Sequence, residues 1–266
     1  MTVHITLMGG LGNQVFQYAA ALSVVGPGNE HLIEADCSLL EAYQNTPGIT
    51  PRPFRLGALG VRPGARQVPC DERYQESVPA NYDPAKNYRL EGYFQSLDYW
   101  TSDVRDWFRR RIQWRPRGLS KRACIHVRRG DYVTNPCSTA WHGVMPAEYF
   151  IKHAKNLHQS KGIDRFVIYS DDYEWCQYTL VPRMWNEISR SIQLIAVEDR
   201  DPWIDLSYMI KFDYHIIGNS TFGWLGAYLS NTTQGVVYPT NWLTDNKPGP
   251  PIFPADWHAS APCENQ

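Results

Sequence analysis

The sequence predicts an α/β protein. Short runs rich in Val and Ile recur along the chain, stretches of about 10 to 15 residues with helical spacing separate them, and Gly-rich or acidic turns follow the runs. Strands buried on both faces between such helices belong to parallel sheets. At 266 residues the chain is long enough for two domains, and 43% hydrophobic with 20% charged residues is an ordinary globular balance.

The elements follow in order. VHITLM (3–8) is a buried strand, GGLGN (9–13) a turn and QVFQYAAALSVV (14–25) a helix. Residues 45–90 are rich in Pro, Gly and Arg and predict an irregular segment around short elements. The basic run from Arg105 to Arg129 is expected to form a solvated helix face over 105–117. ACIHV (123–127), RFVIYS (165–170), IQLIAV (192–197), DYHIIG (213–218) and GVVYP (235–239) predict strands. Helical spacing falls on 146–159, 201–212 and 220–230, the second opened by Asp201-Pro202 and the third by a Ser/Thr cap.

Composition excludes several functions. The formal net charge of −1, from 26 basic and 27 acidic residues, gives no overall attraction to nucleic acid or an anionic membrane. No run reaches the roughly 18 apolar residues of a membrane span. The opening residues lack a basic leader and run into a glycine turn, so the chain is expected to be cytoplasmic. The six cysteines include no C-x-x-C pair, which argues against structural zinc and a redox motif. Without a leader, the sequons at Asn219 and Asn231 carry no weight. Oligomeric state is not legible.

Ligands of open parallel sheets bind beyond the carboxyl ends of strands, so the turns there are the candidate sites. After the first strand stand Gly10, Gly12, Asn13 and Gln14. Val15 occupies the third glycine position, so the dinucleotide fingerprint fails, and with it an NAD-dependent reading. A structural glycine turn is the alternative, but two amides at a helix start favour a ligand. After ACIHV stand His126, Arg128, Arg129 and Asp131. One arginine can fork onto a phosphate while the other pairs with a carboxylate such as Asp131; a surface Arg–Asp pair is the alternative.

After RFVIYS stand Asp171 and Asp172. Adjacent acids on extended backbone point to opposite faces and do not chelate one metal together. One carboxylate can accept from the donor edge of guanine, and Asp172 can cap the following helix. After DYHIIG stand Asn219, Ser220, Thr221 and Phe222, a phosphate cradle or an ordinary helix cap.

Four motifs, GxGNQxFQYAxA (10–21), HxRRGDY (126–132), YSDDxEW (169–175) and IIxNSxFxWxGAxL (216–229), together with LEGYFQSLDYW (90–100), resemble the inverting α-1,2-fucosyltransferases of family 11 type in order and spacing. The resemblance implies a GT-B-like fold of two Rossmann-like lobes with a cleft between them. It places an acceptor-side lobe at 1–115 and a GDP-fucose lobe at 116–266. It implies GDP-L-fucose as donor, a β-galactoside or similar glycan as acceptor, and no metal or other cofactor.

By the same resemblance Arg128 meets the β-phosphate, His126 sits at the nucleotide, Asp171 or Asp172 meets guanine, and Ser220, Thr221 and Phe222 surround the phosphates. Asn13 faces the transferred sugar, and Glu91, Tyr93, Phe94 and Gln95 lie on the acceptor side. Gly218, Gly223 and Leu225 depart from the more usual alanine, serine and tryptophan. An acid pressed between Arg128 and Arg129 is stabilised as its carboxylate, so Asp131 is expected to position rather than abstract a proton. Glu91 and Asn13 remain candidates for the base. The rival from another class is a non-enzymatic glycan-binding protein, resting on ten tryptophans and sixteen tyrosines.

Overall fold

The computed structural model describes residues 2–64, 69–112, 119–191, 193–196, 200–230, 233–244, 247 and 249–261. Of the sequence expectations, Arg115 and Arg117 of the basic run, Ile192 and Val197 of the fourth strand, the sequon start Asn231, Cys263 and the division at 115/116 lie outside the described residues.

The α/β class is what the structure shows, in two compact units. One comprises Met1–Gln113 with Pro250–Phe253, the other Trp114–Gly249 with Pro254–Gln266.

The first unit contains β1 (Val3–Thr6), α1 (Leu11–Val25), β2 (Ile33–Asp36), α2 (Ser38–Ala42), β3 (Glu72–Gln75), β4 (Tyr88–Glu91) and α3 (Ser102–Ile112). Its four strands form a parallel sheet in the order β2-β1-β4-β3. Val3, Ile5, Tyr88 and Leu90 are buried, and α1 is buried almost all round through Phe16, Ala19, Ala20, Ala21 and Leu22. A helix with that composition is a core helix. On α3 the buried Val104, Trp107, Phe108 and Ile112 keep helical spacing, while Arg109, Arg110 and Arg111 load its last turn, where the helix dipole favours cations. Arg110 and Arg111 are exposed, so the part of the basic run on α3 is a solvated face on an anchored helix.

The second unit contains β5 (Leu119–Val127), α4 (Gly130–Thr134), α5 (Pro136–His142), α6 (Ala147–Lys161), β6 (Arg165–Ser170), α7 (Tyr173–Trp175), α8 (Val181–Glu187), β7 (Gln193–Ala196), α9 (Pro202–Met209), β8 (Phe212–Ile217), α10 (Thr221–Tyr228), β9 (Gly235–Pro239) and β10 (His258–Ser260). A π-helical turn, Cys176–Leu180, joins α7 to α8. All six strands are parallel, in the order β10-β9-β8-β5-β6-β7.

Alternation along β5 divides the second core between two faces. Ala123, Ile125 and Val127 join Tyr149, Phe150, Ile151 and Phe166 on one face, while Cys124 joins Tyr169, Met209 and Phe212 on the other. Each buried aliphatic side chain contributes about 1.5–3 kcal/mol, so this pattern fixes the register of the central strand. The order also places a switch point. The chain enters at β5, fills one side with β6 and β7 and the other with β8 to β10, so connections diverge between β5 and β8 and open a crevice at their carboxyl ends.

Among the described residues no helix is long and apolar enough to cross a membrane.

Candidate functional site

Three turns at the carboxyl ends of neighbouring strands meet around this switch point: residues 128–131 after β5, 171–172 after β6 and 218–220 after β8. Arg128 donates to both Asp131 and Asp171. The other oxygen of Asp171 accepts the Arg129 backbone N–H at 2.8 Å, and Arg129 Nε donates to Asp172 Oδ2 at 2.9 Å. Both arginines are therefore paired with carboxylates, rather than one alone. Asp131 belongs to Arg128, and the pairing of Arg129 with Asp172 was not legible in sequence.

Asp172 also caps the helix after it, its Oδ1 accepting from Trp175 N at 3.0 Å. The Trp175 ring in turn lies 4.1 Å from the Arg129 guanidinium carbon. Gly130 is needed here because a Cβ would collide with Asp171 Oδ2. Burial works against the charge of Arg128, but Asp171 and Asp131 outweigh it and hold the guanidinium above its ordinary value. A fixed, half-buried cation results. Among the described residues no group of three His, Cys, Asp or Glu side chains is poised for a metal ion.

His126 is buried at the end of β5, its ring 5.6 Å from that of Phe222. Burial lowers its imidazole to about 4, with Asp171 opposing and Arg128 reinforcing the shift, so it is neutral at pH 7. Ser220 caps α10, its Oγ accepting from Phe222 N at 3.3 Å. This leaves the helix start with Thr221 and Phe222 half-buried above the crevice.

Asn219 is buried, and its amide donates to His142 O at 2.7 Å and Trp242 O at 3.3 Å. The structure thereby gives it a bracing position and removes it from the accessible sequons.

Sequence reasoning missed Tyr132 and His142. The Tyr132 hydroxyl donates to Asn219 O at 3.2 Å, its ring stacks on His142 at 4.4 Å and 6°, and Arg128 stands 5.0 Å above it. Burial raises the Tyr132 phenol to about 12 and lowers His142 to about 4, so both are neutral. Tyr132 thus joins the arginine turn to the turn before α10. The only sequence signal was an aromatic one residue beyond Asp131. His126 Nδ1, His142 Nδ1 and Asn219 Oδ1 are buried without a hydrogen-bond partner, an unusual set of polar atoms for one crevice.

In the first unit the glycine turn follows β1. Gly10 is the extended N-cap of α1, Gly12 is buried within it, and Gly9 takes φ +74° where a Cβ would collide with Asn13. Asn13 Oδ1 accepts from Gln95 Nε2 at 3.1 Å. Gln14 corrects the expectation of a ligand-facing amide. It is fully buried, donates to Gly9 O and Pro53 O at 3.0 and 2.9 Å, and accepts from Arg55 N at 2.9 Å. With its amide used up by backbone, Gln14 ties the 53–55 segment to the turn.

Phe94 is a second correction. It is 1% exposed and packs edge-on against Tyr99 at 5.8 Å, so it is core and presents no ring to an acceptor. Tyr93 is exposed, Glu91 and Gln95 half-buried.

A family model described as Glycosyl transferase family 11 matches residues 74–259, a span that includes Arg128, Asp171 and Ser220 and begins after Asn13. An Alpha-1,2-colitosyltransferase of Escherichia coli is 28% identical over 280 residues, which cover 89% of this chain and 91% of that protein. The Galactoside 2-alpha-L-fucosyltransferase Sec1 of Mus musculus is 28% identical over 130 residues, 48% of this chain. The match spans only 33% of that relative's length. A solved structure described as POFUT1 in complex with GDP superimposes with a TM-score of 0.49 at 10% identity, over 89% of this chain and 98% of that one.

Proposed function

Because the chain belongs to glycosyl transferase family 11 and is a glycosyltransferase, we propose that it moves L-fucose from GDP-β-L-fucose to a hydroxyl of a β-galactoside or similar glycan, with inversion and without a metal. The observation that carries the reading is the placement, across the switch point, of a half-buried guanidinium at Arg128 opposite the start of α10 at Ser220. Both are suited to the charge that builds on a departing diphosphate.

Inversion follows when the acceptor hydroxyl attacks the anomeric carbon on the face opposite the leaving group. Charge then develops on the β-phosphate and on an oxocarbenium-like ring. Arg128, fixed by Asp131 and Asp171, meets that phosphate without reorganising. Asp131, Asp171 and Asp172, the acids nearest the switch point, are engaged by arginines, which supports metal independence. Asp131, tied to Arg128, positions rather than acts as base, and departure of the leaving group carries most of the catalysis. Asn13 is read as the amide that meets the sugar. A cytoplasmic setting and the GT-B assignment belong to the same proposal.

A second reading keeps the site and changes the sugar. A relative that covers most of both chains is named a colitosyltransferase, so a colitosyl donor is the alternative.

The test is metal-free incubation with each nucleotide sugar and a β-galactoside, following GDP release with and without acceptor. Acceptor-dependent release that withstands a chelator supports the proposal, and the preferred donor chooses between the two sugars. Failure to bind GDP at all overturns the donor assignment and returns the protein to a glycan-binding reading.

A further inference from the structure

We infer that Glu76 is a positioning residue for sugar transfer, acting as a built-in anion that shapes the loop carrying Gln95 to Asn13. The inference rests on the transferase reading above for its consequence, and on the first unit alone for its geometry.

Glu76 follows the last residue of β3 and is exposed, yet both oxygens of its carboxylate are engaged. One oxygen accepts the backbone N–H of Tyr93 at 2.7 Å and the other that of Phe94 at 2.9 Å. Its own N–H donates to Glu91 O at 2.9 Å, and its carbonyl accepts the Tyr99 hydroxyl at 3.2 Å. Two consecutive backbone N–H groups converging on one anion form a nest of the kind that elsewhere binds phosphate or carboxylate ligands. Here the anion comes from the chain itself.

The backbone is bent to make this possible. Glu76, Gly92 and Phe94 adopt φ of 50°, 139° and 52°. A Cβ at residue 92 would stand 2.5 Å from the Glu76 carboxyl carbon, so only glycine fits. Left-handed backbone at a buried Phe persists only where its surroundings over-determine it, and such positions gather where geometry matters to function.

The far side of the loop is fastened to the glycine turn. Gln17 Nε2 donates to Gly92 O at 3.0 Å while Gln17 Oε1 accepts from Met8 N at 3.1 Å, and Gln95 reaches Asn13. Glu76 therefore holds from outside what Gln17 and Gln95 hold from inside. The product of this arrangement is the orientation of the Asn13 amide at the carboxyl end of β1, where a parallel sheet meets its ligand.

The experiment compares wild type, Glu76→Ala and Glu76→Gln in the full chain. At saturating donor and acceptor, kcat of Glu76→Ala falls on the order of a hundredfold, the cost of a misplaced positioning group. GDP affinity stays within about twofold, because the groups proposed for the nucleotide belong to the second unit. Added formate enters the emptied nest and restores part of kcat in Glu76→Ala. It does nothing for wild type or for Glu76→Gln, whose amide fills the space but offers one acceptor. The side-chain amide NMR signals of Gln95 and Asn13 shift in Glu76→Ala and return with formate. Unchanged kcat in Glu76→Ala, or amide signals that ignore both substitution and formate, overturns the inference. Wild type inactive with every donor sinks the transferase reading alone, and the amide signals then still decide whether Glu76 sets the loop.

Discussion

Gly223 on α10 faces the His126 ring at the end of β5 so closely that a Cβ at residue 223 would stand 2.6 Å from Nδ1 and 2.9 Å from the ring carbon Cγ. His126 is buried and cannot swing outward without disturbing Phe222. Gly223→Ala is expected to cost about 1–3 kcal/mol by overpacking. Gly223→Ser, which installs the residue more usual in the resembled family, is expected to do the same. Denaturant unfolding with GDP titration checks both: a variant of unchanged midpoint and affinity refutes the close-packing account.

Arg128 makes a different prediction. Removing it leaves Asp131 and Asp171 facing one another without the cation both contact. Arg128→Ala is expected to lose roughly 3 kcal/mol of transition-state stabilisation. Arg128→Lys is expected to recover little, because a single ammonium cannot hold two carboxylates in a planar fork. The ratio of kcat/KM for the three proteins measures this; a lysine variant near wild type contradicts the bidentate role.

Tyr132 tests the join between the arginine turn and the turn before α10. Tyr132→Phe keeps the stack on His142 but removes the hydrogen bond to Asn219 O. A loss of about 1 kcal/mol, or about fivefold, in donor binding is expected, with the fold intact. Donor KM and GDP affinity are the quantities to compare, and equality with wild type removes Tyr132 from the site.

Acid should destabilise the protein earlier than its carboxylates alone require. Burial lowers His126, His153 and His215 to about 4, against 6.5 when unfolded. The unfolded chain therefore takes up protons first as pH falls, so stability is full above about pH 6.5 and is lost between 6.5 and 4. Each imidazole adds a slope of at most about 1.4 kcal/mol per pH unit. Melting temperature followed from pH 7 to 4 checks the window; a flat profile there contradicts the burial of these rings.

The strands of the second unit were legible because strands buried on both faces write themselves as apolar runs. RFVIYS and GVVYP are β6 and β9 to the residue. The strand at ACIHV extends back to Leu119 through Ser, Lys and Arg, which no hydrophobic pattern marks. In the first unit β2, β3 and β4 read IEAD, ERYQ and YRLE, each at least half polar, and were hidden in a segment judged irregular or passed over. Arg89 of β4 is buried against Asp36 of β2 at 2.9 Å, a pairing across 53 residues that local pattern does not announce.

The site divides in the same way. Its turns could be found because strand ends can be found. The roles within them depended on partners brought from elsewhere in the chain, such as Asp171 for Arg128 and Gly9, Pro53 and Arg55 for Gln14. Phe94 was misread because a left-handed φ turns an apparent surface aromatic inward.

The four residues Pro250–Phe253 belong to the first unit although the chain on either side of them belongs to the second. Pro251 O accepts from Leu97 N at 3.1 Å, and Ile252 is fully buried. During synthesis the ribosome delivers residues 114–249 before that last piece of the first core. The amino-terminal unit must therefore wait, with the seat of Ile252 uncovered, until residues 250–253 have emerged, although the rest of its chain was made before the second unit began.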